Sequence, residues 1–285
     1  MGRSPSAATI VAGVIGSPIR HSLSPAIVGA AFEALDLDWT FVAFDVAPGG
    51  AAGALDAMRS LGLGGLSVTM PHKDDVAAAV DRLTSRAARL GTANCVFRDG
   101  DELIGDSTDG EGLVASLASD GISLEREVVA VIGAGGAARS IAAAAADAGA
   151  TEVRVLARRP DQAAVAAALA GGIGSSRVLA DPDALDGVGV VVNATPVGMG
   201  ASAGAGGPVP VDPDRVPAAA VAVDIVYHPR RTAWMEALAA RGVRVVDGLG
   251  MLVGQAQLAV ELWTGQRPPI APMLAAAEEA LDRRG

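Results

Sequence analysis

Short apolar runs rich in β-branched residues alternate along the chain with stretches of helical periodicity. The first series predicts strands over residues 9–15, 40–46 and 66–70, helices that begin at Pro25 and Ala51, and a further helical stretch after the third strand. Such alternation is typical of an α/β protein whose helices pack on a largely parallel sheet. The pattern therefore predicts an α/β fold.

A β-hairpin is predicted after this series. Its strands cover residues 94–97 and 102–104 and flank a turn at residues 98–100. The polar segment GDSTDG closes the hairpin, and a helix over about residues 110–119 follows. We place the first domain boundary within this helix, so that residues 1–112 form the first domain.

A second α/β series begins at Val128. It predicts strands over residues 128–132, 152–157, 188–193, 221–225 and 243–246, helices that end at Ala148 and Leu169, a glycine-rich surface loop over 201–210, and terminal helices over about 251–264 and 272–282. We assign residues 113–247 to a second domain. The helices within residues 248–285 are expected to pack back on the first domain.

Composition and charge narrow the classes of function. The chain of 285 residues is 51% hydrophobic, which is enough to bury a large core. Its net charge of −10 argues against nucleic-acid binding, which needs clustered cations. No apolar run reaches the length of about 18 residues that a membrane helix needs.

The few cysteine and histidine residues bear on location and on metals. Cys95 is the one cysteine, so no internal disulfide is possible, and the N-terminal residues do not resemble a secretory leader. We therefore expect a cytoplasmic protein. The three histidines show no metal-ligand spacing with Cys95, so no metal site is predicted.

A glycine-rich segment after the strand at 128–132 predicts a dinucleotide site. Gly133, Gly135 and Ala138 form a G-x-G-x-x-A pattern between a predicted strand and a predicted helix, with Gly136 and Ala137 inside the pattern. In a Rossmann domain, which is a doubly wound parallel sheet, this turn lets a pyrophosphate approach the helix N-terminus. A tight turn without a ligand is the alternative, but the flanking strand and helix favour a cofactor site.

The end of the next strand favours NADP over NAD. An NAD enzyme carries an acidic residue there to bind the ribose hydroxyls, whereas this chain has Arg158 followed by Arg159. A guanidinium can bind the 2′-phosphate of NADP through two hydrogen bonds. The alternative is that both arginines belong to a solvated loop.

Two serines precede the first predicted helix. Ser24 is predicted to be its N-cap, with Pro25 at the first helical position, while Ser22 has no such explanation. Two hydroxyls at a helix N-terminus also suit the carboxylate of a substrate. Both interpretations stay open on these residues alone.

Several motifs follow one another along nearly the whole chain. They are GVIGSPIRHSLSPAI, LSVTMPHK, GTANCVFRDGDELIGDSTDGEG, GAGGAAR, NATPVGM, DIVYHP and GMLVGQA. In this order they resemble the shikimate dehydrogenase family. The resemblance implies an N-terminal α/β substrate domain, an NADP-binding Rossmann domain, and reversible NADPH-dependent reduction of 3-dehydroshikimate to shikimate, a step of chorismate and aromatic amino acid biosynthesis.

The resemblance also implies roles for individual residues. Lys73 and Asp109 match the family's catalytic residues. The implied substrate-binding residues are Ser22 and Ser24 at the carboxylate, Thr69, Asn94 and Gln255 at the ring hydroxyls, and Tyr227; the implied cofactor-binding residues outside the glycine turn are Arg158 at the 2′-phosphate, Asn193, Thr195 and Met199 at the nicotinamide end, and Gly248.

The sequence departs from the family pattern in two places and leaves rival functions open. Val28 and Gly29 replace the usual His-Asn, and Ala157 and Arg159 flank Arg158 where the family has Asn and Thr.

The rival functions are a quinate or dual quinate and shikimate dehydrogenase, an aminoshikimate dehydrogenase and a non-catalytic NADP-binding relative. Because quinate-preferring relatives often change the second serine, Ser24 favours shikimate. We expect a monomer or a homodimer that binds a small molecule.

Overall fold

The chain folds into two compact units. A computed structural model describes residues 4–200 and 207–283. Unit 1 comprises the chain up to Thr108 together with the chain from Val253 onward, and unit 2 comprises Asp109–Leu252. Each unit contains its own six-stranded sheet with helices against it. The predicted α/β fold is therefore confirmed.

Unit 1 contains a mixed sheet with the strand order β2-β1-β3-β5-β6-β4. Its strands are β1 (Ile10–Gly16), β2 (Trp39–Asp45), β3 (Leu66–Val68), β4 (Arg82–Leu83), β5 (Cys95–Asp99) and β6 (Glu102–Asp106). Its helices are α1 (Ser24–Ala34), α2 (Ala51–Leu61), α3 (Lys73–Ala79), α4 (Ser85–Leu90), most of α9 (Leu249–Thr264) and α10 (Ile270–Asp282). β5 and β6 form the predicted antiparallel hairpin, which turns at Gly100, where φ is +61°.

The C-terminal helices pack within unit 1. α10 lies against α1. Near the end of α9, the Trp263 indole stacks on Phe41 with ring centroids 5.8 Å apart, and its Nε1 donates to the Val96 carbonyl at 3.0 Å. The ring lies directly over Gly65, where a Cβ would run into it. Trp263 therefore fastens α9 to the sheet.

Unit 2 contains a fully parallel sheet with the order β12-β11-β10-β7-β8-β9, the strand order of a Rossmann fold. Its strands are β7 (Val128–Ile132), β8 (Glu152–Ala157), β9 (Gly174–Val178), β10 (Val190–Asn193), β11 (Val221–Asp224) and β12 (Arg244–Val246). Its helices are α5 (Asp109–Ser119), α6 (Gly136–Asp147), α7 (Pro160–Ala168) and α8 (Ala233–Ala240). Of the glycine-rich loop predicted over 201–210, residues 201–206 lie outside the described residues.

The two faces of this parallel sheet carry separate cores. Alternate residues of β7 belong to different buried clusters: Val129 and Val131 pack with α6 residues such as Ile141, while Ala130 and Ile132 pack with a cluster that contains Trp234. In a parallel sheet covered on both faces, the inner strands are apolar at most positions. This tendency explains why the strand pattern was readable in the sequence.

The boundaries between the units fall at 108/109 and 252/253, whereas the sequence placed them at 112/113 and 247/248. α5 starts directly at Asp109, and α9 runs without a break through the second boundary. Composition does not mark either position, because both lie at or inside helices rather than in linkers.

The start of α1 differs from the prediction. The helix begins at Ser24, its N-cap is Leu23, and no side chain provides a capping hydrogen bond. Instead, the Ser22 Oγ accepts a hydrogen bond from the Ser24 backbone N at 3.2 Å. The prediction that Ser24 is the N-cap was therefore wrong, because the hydroxyl two residues earlier satisfies this amide.

Among the described residues, no helix combines the length and the apolar character that a membrane crossing requires.

Replacing Gly65 with alanine tests the contact with Trp263. We expect Gly65→Ala to lower the free energy of unfolding by about 1–3 kcal/mol, because the added methyl group displaces the indole ring. The matched control is Gly53→Ala in α2, where a Cβ would meet nothing within 4 Å and where alanine should add roughly 0.5–1 kcal/mol. Urea denaturation of both variants measures the difference, and equal effects would contradict the proposed contact.

Candidate active site

Unit 1 brings two predicted substrate-binding residues together from distant parts of the chain. The Asn94 Nδ2 donates to the Gln255 Oε1 at 3.4 Å and to the Thr108 Oγ1 at 2.9 Å. The Asn94 Oδ1 accepts from the Thr108 backbone N at 2.7 Å. All three side chains are buried. Asn94 and Gln255 therefore lie in one polar cluster, and Thr108 is a member that the sequence did not predict.

An ion pair supports this cluster from the side of β6. The Asp106 carboxylate, which is only 2% exposed, accepts from Arg86 NH2 at 2.6 Å and from the Thr84 Oγ1 at 2.6 Å. It also accepts from the Ser107 backbone N at 2.7 Å. A buried carboxylate with several donors holds its neighbours in one geometry. The backbone that leads from Asp106 to Thr108 is thereby fixed.

Lys73 is the first residue of α3. The Ala93 backbone N donates to the Lys73 carbonyl at 3.0 Å, so the lysine backbone is tied to the residue that precedes Asn94. Beside it, the fully buried His72 has its Nε2 2.7 Å from the Val46 carbonyl, which makes Nε2 the donor. His72 thus has a structural contact.

The other predicted residues of unit 1 lie at strand ends and helix starts. Thr69 directly follows β3, and its backbone N donates to the Ile15 carbonyl of β1 at 3.0 Å. Ser22 and Ser24 lie at the start of α1, which follows β1 along the chain, and Ser24 is buried. Because β1 and β3 are parallel, these positions lie beyond the carboxyl ends of both strands, at the same edge of the sheet.

Asp109 opens unit 2 as the first residue of α5. It directly follows Thr108 in the chain, and it is buried. The next residue, Gly110, donates its backbone N to the Ser140 Oγ of α6 at 2.9 Å. A Cβ on Gly110 would collide with the backbone of Ser140, so the first turn of α5 lies tightly on α6. This packing fixes the backbone that carries Asp109.

The glycine turn of unit 2 has the geometry that a dinucleotide requires. Gly133 has a φ of +120°, and a Cβ there would lie 2.9 Å from the Ala194 carbonyl oxygen. Around the ideal Cβ position of Gly135, by contrast, nothing lies within 4 Å, and this exposed glycine is the N-cap of α6. Gly136 and Ala137 open the helix and Ala138 is fully buried. The turn therefore leaves open space at a helix N-terminus.

Two exposed cations follow the neighbouring strand. β8 pairs with β7 so that Leu156 lies beside Ile132, and Arg158 and Arg159 come just after its end. Both arginines are exposed. Since the carboxyl ends of parallel strands share one edge, these cations lie on the same side of the sheet as the glycine turn.

The remaining predicted residues surround the ends of β10, β11 and β12. Asn193 ends β10 and is fully buried, whereas Thr195 and Met199 in the following turn are half-buried. Tyr227 is half-buried after β11. A Cβ on Gly248 would collide with the backbone of Ile225, so this position needs glycine.

A buried carboxylate lies behind this turn. Asp224 ends β11 with no exposed surface, and burial raises its pKa from 3.8 to about 6. Hydrogen bonds from Thr232, from the Val226 backbone N and from Asn193 lower the pKa of Asp224 and offset part of the effect of burial, which leaves the net value at about 6. Among the described residues, no cluster of His, Cys, Asp and Glu fits a metal ion.

Comparison with known sequences identifies relatives over nearly the whole chain. A family model for the shikimate dehydrogenase substrate binding domain matches residues 14–96, and a model for the shikimate 5′-dehydrogenase C-terminal domain matches residues 248–278. The shikimate dehydrogenase (NADP(+)) of Geobacter metallireducens is 39% identical over 284 residues, which cover 96% of this chain and 98% of that protein.

Solved structures show the same likeness. A crystal structure of a shikimate dehydrogenase in complex with NADP+ has a TM-score of 0.91 at 30% identity and covers 99% of each chain. The shikimate 5-dehydrogenase of Thermus thermophilus, solved with NADP(H) and shikimate, has a TM-score of 0.87 at 34% identity and covers 96% of this chain and 100% of that one. Both units are therefore included in the match.

The raised pKa of Asp224 predicts a pH dependence of stability. Because the folded protein holds this proton more tightly than the unfolded chain, the contribution is complete below about pH 3.8 and is lost as the pH rises through about 6. Between pH 7 and pH 5, the free energy of unfolding should gain roughly 1 kcal/mol more in the unmodified protein than in Asp224→Asn. Urea denaturation at both pH values measures this, and identical pH dependences would contradict the assignment.

Proposed function

The chain belongs to the shikimate dehydrogenase family, and from this premise we propose that it catalyses the reversible reduction of 3-dehydroshikimate to shikimate with NADPH. The observation that carries the proposal is the 39% identity over 96% of the chain to a shikimate dehydrogenase, together with the VT-x-P-x-K and D-x-TD-G motifs that contain Lys73 and Asp109. The chain is accordingly an NADP-dependent oxidoreductase.

The residues of unit 2 fit NADP. The open space at Gly135 and the start of α6 at Gly136 suit a pyrophosphate, and the exposed Arg158 and Arg159 suit a 2′-phosphate. When bound, NADPH supplies the hydride that reduces the ring carbonyl. We assign the adenosine end to Arg158 and the nicotinamide end to Thr195 and Met199, with Ala137, Ala138, Asn193 and Gly248 shaping the surrounding backbone.

Lys73 supplies the proton in this proposal. As the carbonyl oxygen becomes an alkoxide, the Lys73 Nζ donates a proton to it, and in the reverse direction the neutral amine accepts that proton. Lys73 is the one lysine among 22 lysines and arginines in the chain. An arginine cannot serve here, because a guanidinium does not give up its proton in proteins.

The polar residues of the site would hold the substrate in place. Asp109 accepts a hydrogen bond from a ring hydroxyl and orients the reacting carbon. We assign Ser22 and Ser24 to the substrate carboxylate, and Thr69, Asn94 and Gln255 to the ring hydroxyls. Tyr227 is assigned to the substrate beside the nicotinamide. The support from unit 1 is that Asn94 and Gln255 share one buried polar cluster, which pre-organises both amides.

The cellular setting of the enzyme follows the same proposal. We propose a cytoplasmic enzyme that is a monomer or a homodimer and that has neither a nucleic-acid nor a membrane partner. The net charge of −10 and the single buried Cys95 support this assignment.

A substrate and cofactor screen tests the proposed function. The purified protein should oxidise shikimate with NADP, and its kcat/KM for quinate should be lower by roughly 100-fold, because quinate adds a hydroxyl near the carboxylate that Ser22 and Ser24 are assigned to bind. The measurement is formation of the reduced cofactor, NADPH from NADP or NADH from NAD, followed by absorbance with shikimate, quinate and aminoshikimate as substrates. Comparable efficiency on quinate or on aminoshikimate, or a preference for NAD, would overturn the assignment of substrate or cofactor.

A further inference from the structure

A buried hydrogen bond joins the ends of two neighbouring strands in unit 2. Asn193 at the end of β10 and Asp224 at the end of β11 lie side by side in the sheet register, and neither is exposed. The Asn193 Nδ2 donates to the Asp224 Oδ1 at 2.9 Å. A hydrogen bond to a buried charge is stronger than one between neutral groups. The two strand ends are therefore firmly linked.

The Asn193 side chain has used its entire hydrogen-bonding capacity. Its Nδ2 also donates to the Val197 carbonyl at 3.2 Å, and its Oδ1 accepts from the Thr195 backbone N at 3.1 Å and from the Thr195 Oγ1 at 2.7 Å. An amide side chain offers two donor hydrogens and two acceptor lone pairs. No group of this buried side chain is left for a ligand. Asn193 instead holds the turn that follows it.

Asp224 determines which way the Asn193 amide faces. An ionised carboxylate only accepts hydrogen bonds, so Asn193 must present its NH2 group to Asp224 and its oxygen to Thr195. The other Asp224 oxygen accepts from the Thr232 Oγ1 at 2.8 Å, and the Val226 backbone N donates to Oδ1 at 3.1 Å. A reversed amide would place oxygen against oxygen and leave the Thr195 amide without its acceptor.

The turn held in this way borders the glycine turn. Ala194 and Thr195 limit the space at Gly133, whose Cβ would lie 3.2 Å from the Thr195 Cγ2. The Thr232 Cγ2 limits the space at Gly198 on the other side of the same turn, at 3.1 Å. β7 and β10 are adjacent in the sheet, and dinucleotides bind beside such a reversal of strand order.

We propose that Asp224 is a positioning residue for the cofactor: Asp224, Asn193 and Thr232 form a buried clamp that holds residues 194–199 in the shape against which the nicotinamide end binds. In this clamp Asn193 acts through the turn and does not touch the cofactor. The identity of the cofactor rests on the proposed function, whereas the effect of the clamp on the turn does not.

Backbone amide hydrogen exchange of the ligand-free protein tests the clamp directly. Asp224→Leu removes both acceptors at similar size, so the amides of Thr195 and Val197 should exchange at least about tenfold faster. Asp224→Asn keeps the acceptor for Asn193 and should remain close to the unmodified protein. The control is Leu185→Ala, which opens a cavity at a fully buried residue of the same unit outside the clamp.

Binding and turnover provide the second readout. Asp224→Leu should weaken NADPH affinity, measured by fluorescence titration, and lower kcat, each by about tenfold, while Asp224→Asn restores both and the KM for shikimate changes little. If Asp224→Leu does not fold, Thr232→Val removes the donor to the other carboxylate oxygen and takes its place, with smaller expected effects in the same direction.

Two results would overturn the proposal. The first is that amide exchange over residues 194–199 is no faster in Asp224→Leu than in the control Leu185→Ala. If Asp224→Leu does not fold, the same comparison is made with Thr232→Val. The second is an unchanged NADPH affinity and kcat in the variant used. If the unmodified protein binds NADPH but does not oxidise shikimate, the proposed substrate fails, while the exchange and affinity results still decide the role of the clamp.

Discussion

Parallel strands place all their carboxyl ends along one edge, and this constraint determines where the candidate cofactor-site residues of unit 2 lie. The glycine turn follows β7, the exposed arginines follow β8, and the buried Asn193 and Asp224 end β10 and β11. Between the strands and the helices, both faces are filled with apolar side chains. Polar groups are therefore concentrated at this edge, and the two that are buried, Asn193 and Asp224, must find partners within the protein.

Unit 1 also buries polar side chains near strand ends, although its sheet is mixed rather than parallel. Asn94 and Asp106 are buried at the ends of the hairpin region, and their partners are Thr108, Gln255, Thr84 and Arg86. Removing one member would leave a buried polar group unsatisfied, which costs more than the hydrogen bond itself contributes. Such networks hold side chains in a fixed geometry before any ligand binds. In both units, residues that we assign to ligands are held in place by hydrogen bonds to residues that have no assigned ligand.

The two strands whose bounds the sequence predicted correctly, β7 and β8, lie in the interior of the parallel sheet. The bounds of β7 and β8 matched the prediction, because Val-Val-Ala-Val-Ile and Glu-Val-Arg-Val-Leu-Ala carry a strong β-branched signal. β9 was missed: Gly174–Val178 reads GSSRV, lies at the sheet edge and is mostly exposed, so it has no apolar pattern. An edge strand such as β9 is held mainly by backbone hydrogen bonds. These bonds do not depend on side-chain type, so the sequence of the strand carries no recognisable pattern.

The residues of the candidate site also divide into those that the sequence singled out and those that it did not. Local motifs singled out Lys73, Asp109 and the glycine turn as candidates, because each lies within a short segment of fixed spacing. The supporting residues Arg86 and Thr232 were not found, since they reach their partners across 20 and 8 positions and their types are common on surfaces. Apart from the motifs, the sequence offers one further signal, the scarcity of lysine. Lys73 is the one lysine in the chain.

The central claim is that the Lys73 amine transfers a proton, and a change that keeps the positive charge tests it most directly. Lys73→Arg retains a cation that cannot release its proton, and Lys73→Ala removes the cation. We expect kcat for shikimate oxidation to fall at least about 100-fold in both variants, with NADPH affinity nearly unchanged. A Lys73→Arg protein that keeps kcat within a few-fold of the unmodified enzyme would contradict the account.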